Sequence, residues 1–156
     1  MLNNLYAIDR VAELAAQHSD RSGALLPLLH AIQEELGYID DTAVPVIASA
    51  LNISRAEVHG VVTFYHDFRR QPVGRHVVKL CRAESCQARG SVAIEAALVQ
   101  RLGVALGDTR GDGQVTLDAV YCLGLCAIGP NALVDGRPVG RIDLAAIARI
   151  AAEVAA

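Results

Sequence analysis

The residues able to do chemistry are four cysteines in two pairs. Cys81 and Cys86 stand as C-x4-C in Cys81-Arg-Ala-Glu-Ser-Cys86, and Cys122 and Cys126 as C-x3-C in Cys122-Leu-Gly-Leu-Cys126. The chain of 156 residues has no other cysteine. Four thiolates gathered at one place suit a [2Fe-2S] cluster or a tetrahedral zinc ion; disulfides or free thiols are the remaining readings. Structural zinc sites usually pair cysteines more tightly, as C-x2-C, whereas a cluster taking two ligands per iron accepts wider loops. The first pair shares its gap with plant-type ferredoxins but lacks their C-x2-C continuation. Gly124 permits a tight turn inside the second pair. Ser85, Gly90 and backbone N–H groups are candidate donors to sulfur, and Arg82 and Arg89 candidate counter-charges. The plainer reading of both arginines is a solvated surface.

Other candidate sites fail on spacing. Asp108-Thr-Arg-Gly-Asp-Gly113 begins like a calcium loop, but Arg110 holds its third position and Ala119 its twelfth, so a turn is expected. His30, His59 and His66 fall on predicted helices with no matched carboxylate or nucleophile, as packing or surface residues. No glycine-rich phosphate fingerprint follows a strand, so neither NAD nor a nucleotide is expected on this chain. The segment around Leu51-Asn-Ile-Ser54 could mimic a helix-turn-helix, with Arg55, His59, Arg69 and Arg70 facing DNA. A net charge of −3 and an apolar Val/Tyr/Phe stripe argue against that, and no nucleic-acid partner is expected.

Composition sets the frame for these sites. Hydrophobic residues make up 53% and charged residues 20%, enough for a real core built from Leu, Val, Ile and Ala, since Trp is absent and Phe and Tyr are few. Asp9, Arg10 and Glu13 interrupt the N-terminal apolar stretch, so it does not read as a signal peptide. No segment approaches a membrane span. The expectation is a soluble cytoplasmic protein with no direct membrane insertion, in a reducing compartment where paired cysteines bind metal or do redox work.

The elements that must position the cysteines follow from periodicity. An amphipathic helix is expected within residues 1–22, with Ile8, Val11, Ala12 and Ala15 inward and Asn3 and Asn4 as caps. A second runs from Leu25 to Leu36, with Leu25, Leu29, Ile32 and Leu36 buried and Gly37 as its stop. A third spans Thr42 to Leu51, with Val44, Ile47, Ala48 and Leu51 on one face and Asn52 ending it. Ser54-Arg-Ala-Glu57 is a capping box for a fourth, whose core face is Val58, Val61, Val62, Tyr65 and Phe68. Pro72 and Gly74 mark a boundary. Beyond it, 76–80 reads as a strand running into Cys81, and Ser91 to Leu102 as a helix with Ile94, Leu98 and Leu102 inward. Residues 114–121 form a strand delivering Cys122, with Val115, Leu117, Ala119 and Tyr121 on one side. Asp135-Gly136 turns a hairpin between 132–134 and 137–140. A last helix from Asp143 buries Leu144, Ile147, Ala151 and Val154. The order is four helices, then β-α-β-β-α, an α+β or α/β arrangement divided into residues 1–73 and 74–156.

With these residues placed, the chain resembles the 24 kDa-type [2Fe-2S] subunit of respiratory complex I and related NAD-linked enzymes, including NAD-dependent formate dehydrogenases and bidirectional hydrogenases. The resemblance covers Leu25 to Val154. It is carried by Leu26-Pro-Leu-Leu-His-Ala-Ile-Gln-Glu34, Gly37-Tyr-Ile39, Val61-Val-Thr-Phe-Tyr65 with Phe68, both cysteine pairs, and Tyr121-Cys-Leu-Gly-Leu-Cys-Ala127 with Pro130. It implies an N-terminal helical bundle followed by a thioredoxin-like domain without the dithiol-exchange C-x-x-C. It implies Cys81, Cys86, Cys122 and Cys126 as ligands of one [2Fe-2S] cluster, and no catalytic residue on this chain. It implies electron transfer beside a flavoprotein partner carrying FMN and the NAD site. Arg82-Ala-Glu-Ser-Cys-Gln-Ala88 looks most like the gamma subunit of molybdenum-containing, NAD-dependent formate dehydrogenase, in which a third subunit with the molybdenum cofactor oxidises formate to CO2. The equivalent subunit of complex I or of a hydrogenase is the alternative. A stand-alone regulatory module stabilised by zinc or an Fe–S centre is the distant one.

Overall fold

A computed structural model describes residues 2–155, and the side chains from Ala7 onward. The chain forms two compact units, the first ending at Pro72 and the second beginning at Val73.

The first unit is helical: α1 Leu2–His18, α2 Leu25–Leu36, α3 Ala43–Leu51 and α4 Arg55–Phe64. The stops fall where backbone chemistry demands them. Gly37 takes φ 84° after α2 and Asn52 φ 52° after α3, the left-handed conformation that lets a helix end return an N–H to its last carbonyls. The capping box forms as the sequence predicts. Glu57 N–H donates to Ser54 Oγ at 3.1 Å, and Ser54 N–H donates to the Glu57 carboxylate at 2.8 Å. The core gathers Val11, Leu28, Leu29, Ile32, Ile47, Val58 and Val62.

Several expected faces shift. Leu28 joins Leu29 and Ile32 at the centre, while Leu25 and Leu36 are only half-buried. Ile8, Val44, Leu51 and Val61 are half-buried and Ala12 is exposed. Asn3 and Asn4 lie inside α1 rather than before it, and their side chains lie outside the described ones. The fourth helix stops at Phe64: Tyr65 is extended (ψ 108°) and exposed, whereas Phe68 turns back from the following loop into the core. Gln33 fixes that loop by donating to Asp67 O and accepting Arg69 N–H, and the His30 and Phe68 rings meet at 5.0 Å. These long-range ties override the helical period that the sequence continues past Phe64.

The second unit is a five-stranded mixed sheet in the order β2-β3-β1-β4-β5. Its elements are β1 His76–Cys81, α5 Glu84–Ala88, α6 Ser91–Leu102, β2 Asp108–Thr109, β3 Val115–Val120, β4 Ala132–Val134, β5 Arg137–Val139 and α7 Leu144–Glu153, with a 3-10 turn at Cys126–Ile128. Strand β1 pairs parallel with β3, Val78 opposite Leu117, and antiparallel with β4, Leu80 opposite Ala132. One sheet face supplies Val78, Leu80, Val115 and Leu117, and α6 and α7 cover it with Leu98, Leu102, Ile147 and Ile150. The parallel pair needs a crossover, which α6 provides. Asp135 (φ 49°) and Gly136 (φ 78°) make the hairpin turn.

Four inward assignments are corrected. Tyr121 is 71% exposed because β3 ends at Val120 and the chain turns away before it. Leu144 is 73% exposed because it opens α7 ahead of the buried stripe Ala146, Ile147 and Ile150. Ala151 and Ile94 are half-buried at the rim. Thr116, on the face expected to be polar, is buried, and its hydroxyl accepts Gly74 N–H at 2.7 Å. Within the 108–113 segment Asp108 and Thr109 form β2, and 110–113 is a turn closed by Gly113 N–H on Arg110 O, with Arg110 paired to Asp112. The short α5, β2 and the 3-10 turn carry too few residues to show a period.

Candidate metal centre

Parallel pairing of β1 with β3 brings the two cysteine segments to the same sheet end. Cys81 closes β1 opposite Val120, so Cys122 starts its loop two residues further along the neighbouring strand. The first loop winds into α5, which carries Cys86 inward. The second runs through Gly124 into the 3-10 turn that begins at Cys126. Strand ends at one edge of a sheet are where such folds gather functional groups.

The sulfurs form two pairs. Cys122 Sγ and Cys126 Sγ are 4.0 Å apart, close to the roughly 3.8 Å that two thiolates span across a tetrahedral metal with bonds of about 2.3 Å. Cys81 and Cys86 lie close enough for each thiol to perturb the other. Among the described residues no three His, Cys, Asp or Glu side chains converge as ligands of a single ion. Cys81 and Cys86 are buried, at 2% and 1% exposure, whereas Cys122 and Cys126 are exposed.

Backbone N–H groups aim at the sulfurs. Burial pushes the Cys81 thiol up, but N–H donors from Ala83, Cys122 and Leu123, with the Cys86 thiol, outweigh it and hold Cys81 below its ordinary value. Cys86 is pushed above its ordinary value by burial and by sharing its proton with Cys81. The charges of Cys81 and Cys126 add to this, and Asn131 N–H only partly offsets it. Such a set stabilises one thiolate and resists the next until positive charge enters, which is how a thiolate metal site couples to its cation. Gly124 N–H approaches Cys122 Sγ at 3.4 Å. Cys122 itself has φ 78°, a left-handed backbone that a side chain rarely adopts; held strain of this kind accompanies functional positions. Gly129 leaves room at the centre: a Cβ there would lie 3.3 Å from Cys86 Sγ and 3.3 Å from Arg89 Cδ.

The structure thus brings all four predicted cysteines to one end of the sheet. The supporting groups differ from those expected. Gly90 N–H bonds Gln87 O instead of a sulfur. Arg82 is paired with Glu95 at 2.8 Å, and Arg89 donates to Ala127 O at 3.3 Å, bracing the second loop. Ala83, Leu123, Gly129 and Asn131 escaped sequence reasoning because their contributions come from backbone groups and empty space, which residue type does not reveal. Two cysteine pairs at one sheet end, with N–H donors aimed at Cys81, Cys86 and Cys122, make a donor set that suits a [2Fe-2S] cluster.

The thioredoxin-like [2Fe-2S] ferredoxin profile matches residues 11–155, and the chain belongs to that family. A subunit of the NADH-quinone oxidoreductase of Escherichia coli (strain K12) is 40% identical over 118 residues, 76% of this chain and 71% of that protein. The corresponding NADH-quinone oxidoreductase subunit of Pseudomonas aeruginosa is 34% identical over 133 residues, 85% of this chain and 80% of that protein. Among solved structures, an NAD+-reducing [NiFe]-hydrogenase in the air-oxidized state superposes with TM-score 0.72 at 25% identity. That match covers 84% of this chain and 22% of the hydrogenase chain. The resemblance read from the cysteine pairs and helix motifs is therefore the family of the chain, and its thioredoxin-like fold is the one described above.

Proposed function

We propose that this chain is an electron-transfer subunit of an NAD-linked oxidoreductase and holds one [2Fe-2S] cluster through Cys81, Cys86, Cys122 and Cys126. The carrying observation is the two-by-two arrangement of sulfurs at one sheet end. Cys81 and Cys86 would hold one iron, Cys122 and Cys126 the other. The cluster would supply one-electron redox chemistry. The chain's own residues do the rest: N–H donors from Ala83, Cys122, Leu123, Gly124 and Asn131 stabilise thiolate charge, and burial of the first pair excludes water from one side. The cluster domain is residues 74–156, and the helical region 1–73 is a contact region for the partner. That partner is a flavoprotein bearing FMN and the NAD site.

Two particular complexes are supported by different observations. The loop Arg82-Ala-Glu-Ser-Cys-Gln-Ala88 supports the gamma subunit of a formate dehydrogenase, with a further molybdenum-containing subunit. The names of the similar proteins, which are subunits of NADH-quinone oxidoreductases, support the equivalent position in complex I. Isolation of the native complex through a tag on this chain separates them. Co-isolated flavoprotein and molybdenum subunits, with formate-dependent NAD+ reduction, establish the first. Co-isolated membrane subunits with NADH-dependent quinone reduction establish the second, and a chain isolated without any flavoprotein contradicts both.

A further inference from the structure

Asn131 lies between Pro130 and β4 and is 1% exposed. Three of its groups engage the cysteine framework. Its carbonyl accepts Cys81 N–H at 3.0 Å, at the end of β1. Its own N–H reaches the Cys86 sulfur. Its side-chain Nδ2 donates to Leu125 O at 3.0 Å, inside the second cysteine loop. The other side-chain atom, Oδ1, is buried without a hydrogen-bond partner among the described residues. A buried unpaired acceptor is unfavourable, and an apolar side chain of similar volume would remove it. Packing alone therefore does not account for an amide here. What the amide supplies, and leucine would not, is the donor to Leu125 O. The exposed Cys122–Cys126 loop also carries the left-handed Cys122.

We infer that Asn131 is a positioning residue: its side-chain amide struts the Cys122–Cys126 loop against the Cys81 and Cys86 pair, and so sets cluster retention and reduction potential. The inference rests on the proposed ligand set. Two variants of similar size remove the strut differently: Asn131→Leu deletes both side-chain polar atoms, and Asn131→Asp keeps oxygen but loses the donor. Thr116→Val, which removes a buried hydroxyl elsewhere in the same unit, controls for general destabilisation. The full chain is purified anaerobically, and cluster loss to a chelator, the midpoint potential and the reduced EPR g-values are measured alongside circular dichroism of the fold. Both Asn131 variants are expected to stay folded, to lose the cluster roughly 10- to 100-fold faster, as supporting groups around metal ligands do, and to shift both potential and g-values. Thr116→Val is expected to keep wild-type values for all three. Wild-type loss rates and potentials in both folded variants would overturn the inference. So would unfolding of both, which would make Asn131 a core residue. A wild-type protein that binds no cluster would overturn the ligand reading and this inference with it, whereas failure of the Asn131 variants alone leaves the ligand reading standing.

Discussion

Cys122 and Gly129 show how narrowly the sulfur geometry is drawn. Cys122 occupies a left-handed conformation at φ 78°, and its Sγ is approached by the N–H of Gly124 two residues on. Serine fits the same backbone but offers a harder oxygen ligand. Cys122→Ser is therefore expected to lose or strongly alter the visible and EPR spectra with the fold retained by circular dichroism; an unchanged spectrum would remove Cys122 from the ligand set. At Gly129 φ is −68°, open to any residue, and space decides. The first side-chain carbon would already sit 3.3 Å from Cys86 Sγ, and the branches of valine extend further. Gly129→Val is expected to weaken iron retention roughly tenfold or more, as measured by iron per chain after gel filtration. The cysteines were legible in the sequence because thiolate chemistry is specific to residue type and spacing. Gly129 and Asn131 were not, because what matters at each is one contact formed only in the fold.

Elements bounded by local chemistry were the easiest to read from sequence. Ser54 and Glu57 announce α4, and Gly37, Asn52 and the Asp135-Gly136 turn stop or reverse the chain where backbone sterics require it. Ser54→Ala is expected to lower stability by about 1 kcal/mol, read from the urea midpoint. The capping box also carries a pH signature. The Glu57 carboxyl is held below its ordinary value of 4.5 by the Ser54 N–H and then the Ser54 hydroxyl. A depressed folded value means that its contribution is complete above the ordinary value and fades as pH falls through the lower folded one. Glu57→Gln should therefore flatten part of the stability loss that sets in as pH falls below 4.5, and an unchanged acid limb would contradict the assignment. Burial faces were less legible. Periodicity placed Tyr121 and Leu144 inward, but both lie where an element begins or ends and the period no longer binds. Tertiary hydrogen bonds from Gln33 likewise end α4 at Phe64 although the apolar spacing runs on to Phe68. In the sheet, Gly74 lies against β3: a Cβ would sit 2.8 Å from the Val115 backbone. Gly74→Ala must displace that strand and is expected to lower the thermal midpoint, whereas an exposed Gly111→Ala, with open space around it, is not.

For the whole molecule, each unit has its own apolar core, and no helix among the described residues is long and apolar enough to cross a membrane. The helical unit leaves Phe64, 72% exposed, and Tyr65 on its surface in edge-to-face contact. Exposed aromatic pairs are characteristic anchors of protein interfaces. Phe64→Ser with Tyr65→Ser is expected to reduce co-isolation of the proposed flavoprotein partner while leaving fold and cluster spectra unchanged; full retention of that partner would remove this surface from the proposed interface. Which complex the chain serves was the least legible property, because a short loop and a family carry it rather than a geometry. Anaerobically purified chain, reduced with dithionite, should contain about two iron and two acid-labile sulfide and give one unpaired-electron EPR signal, the composition of a single [2Fe-2S] centre. Stoichiometric zinc, or iron without sulfide, in protein that is otherwise folded would contradict the account.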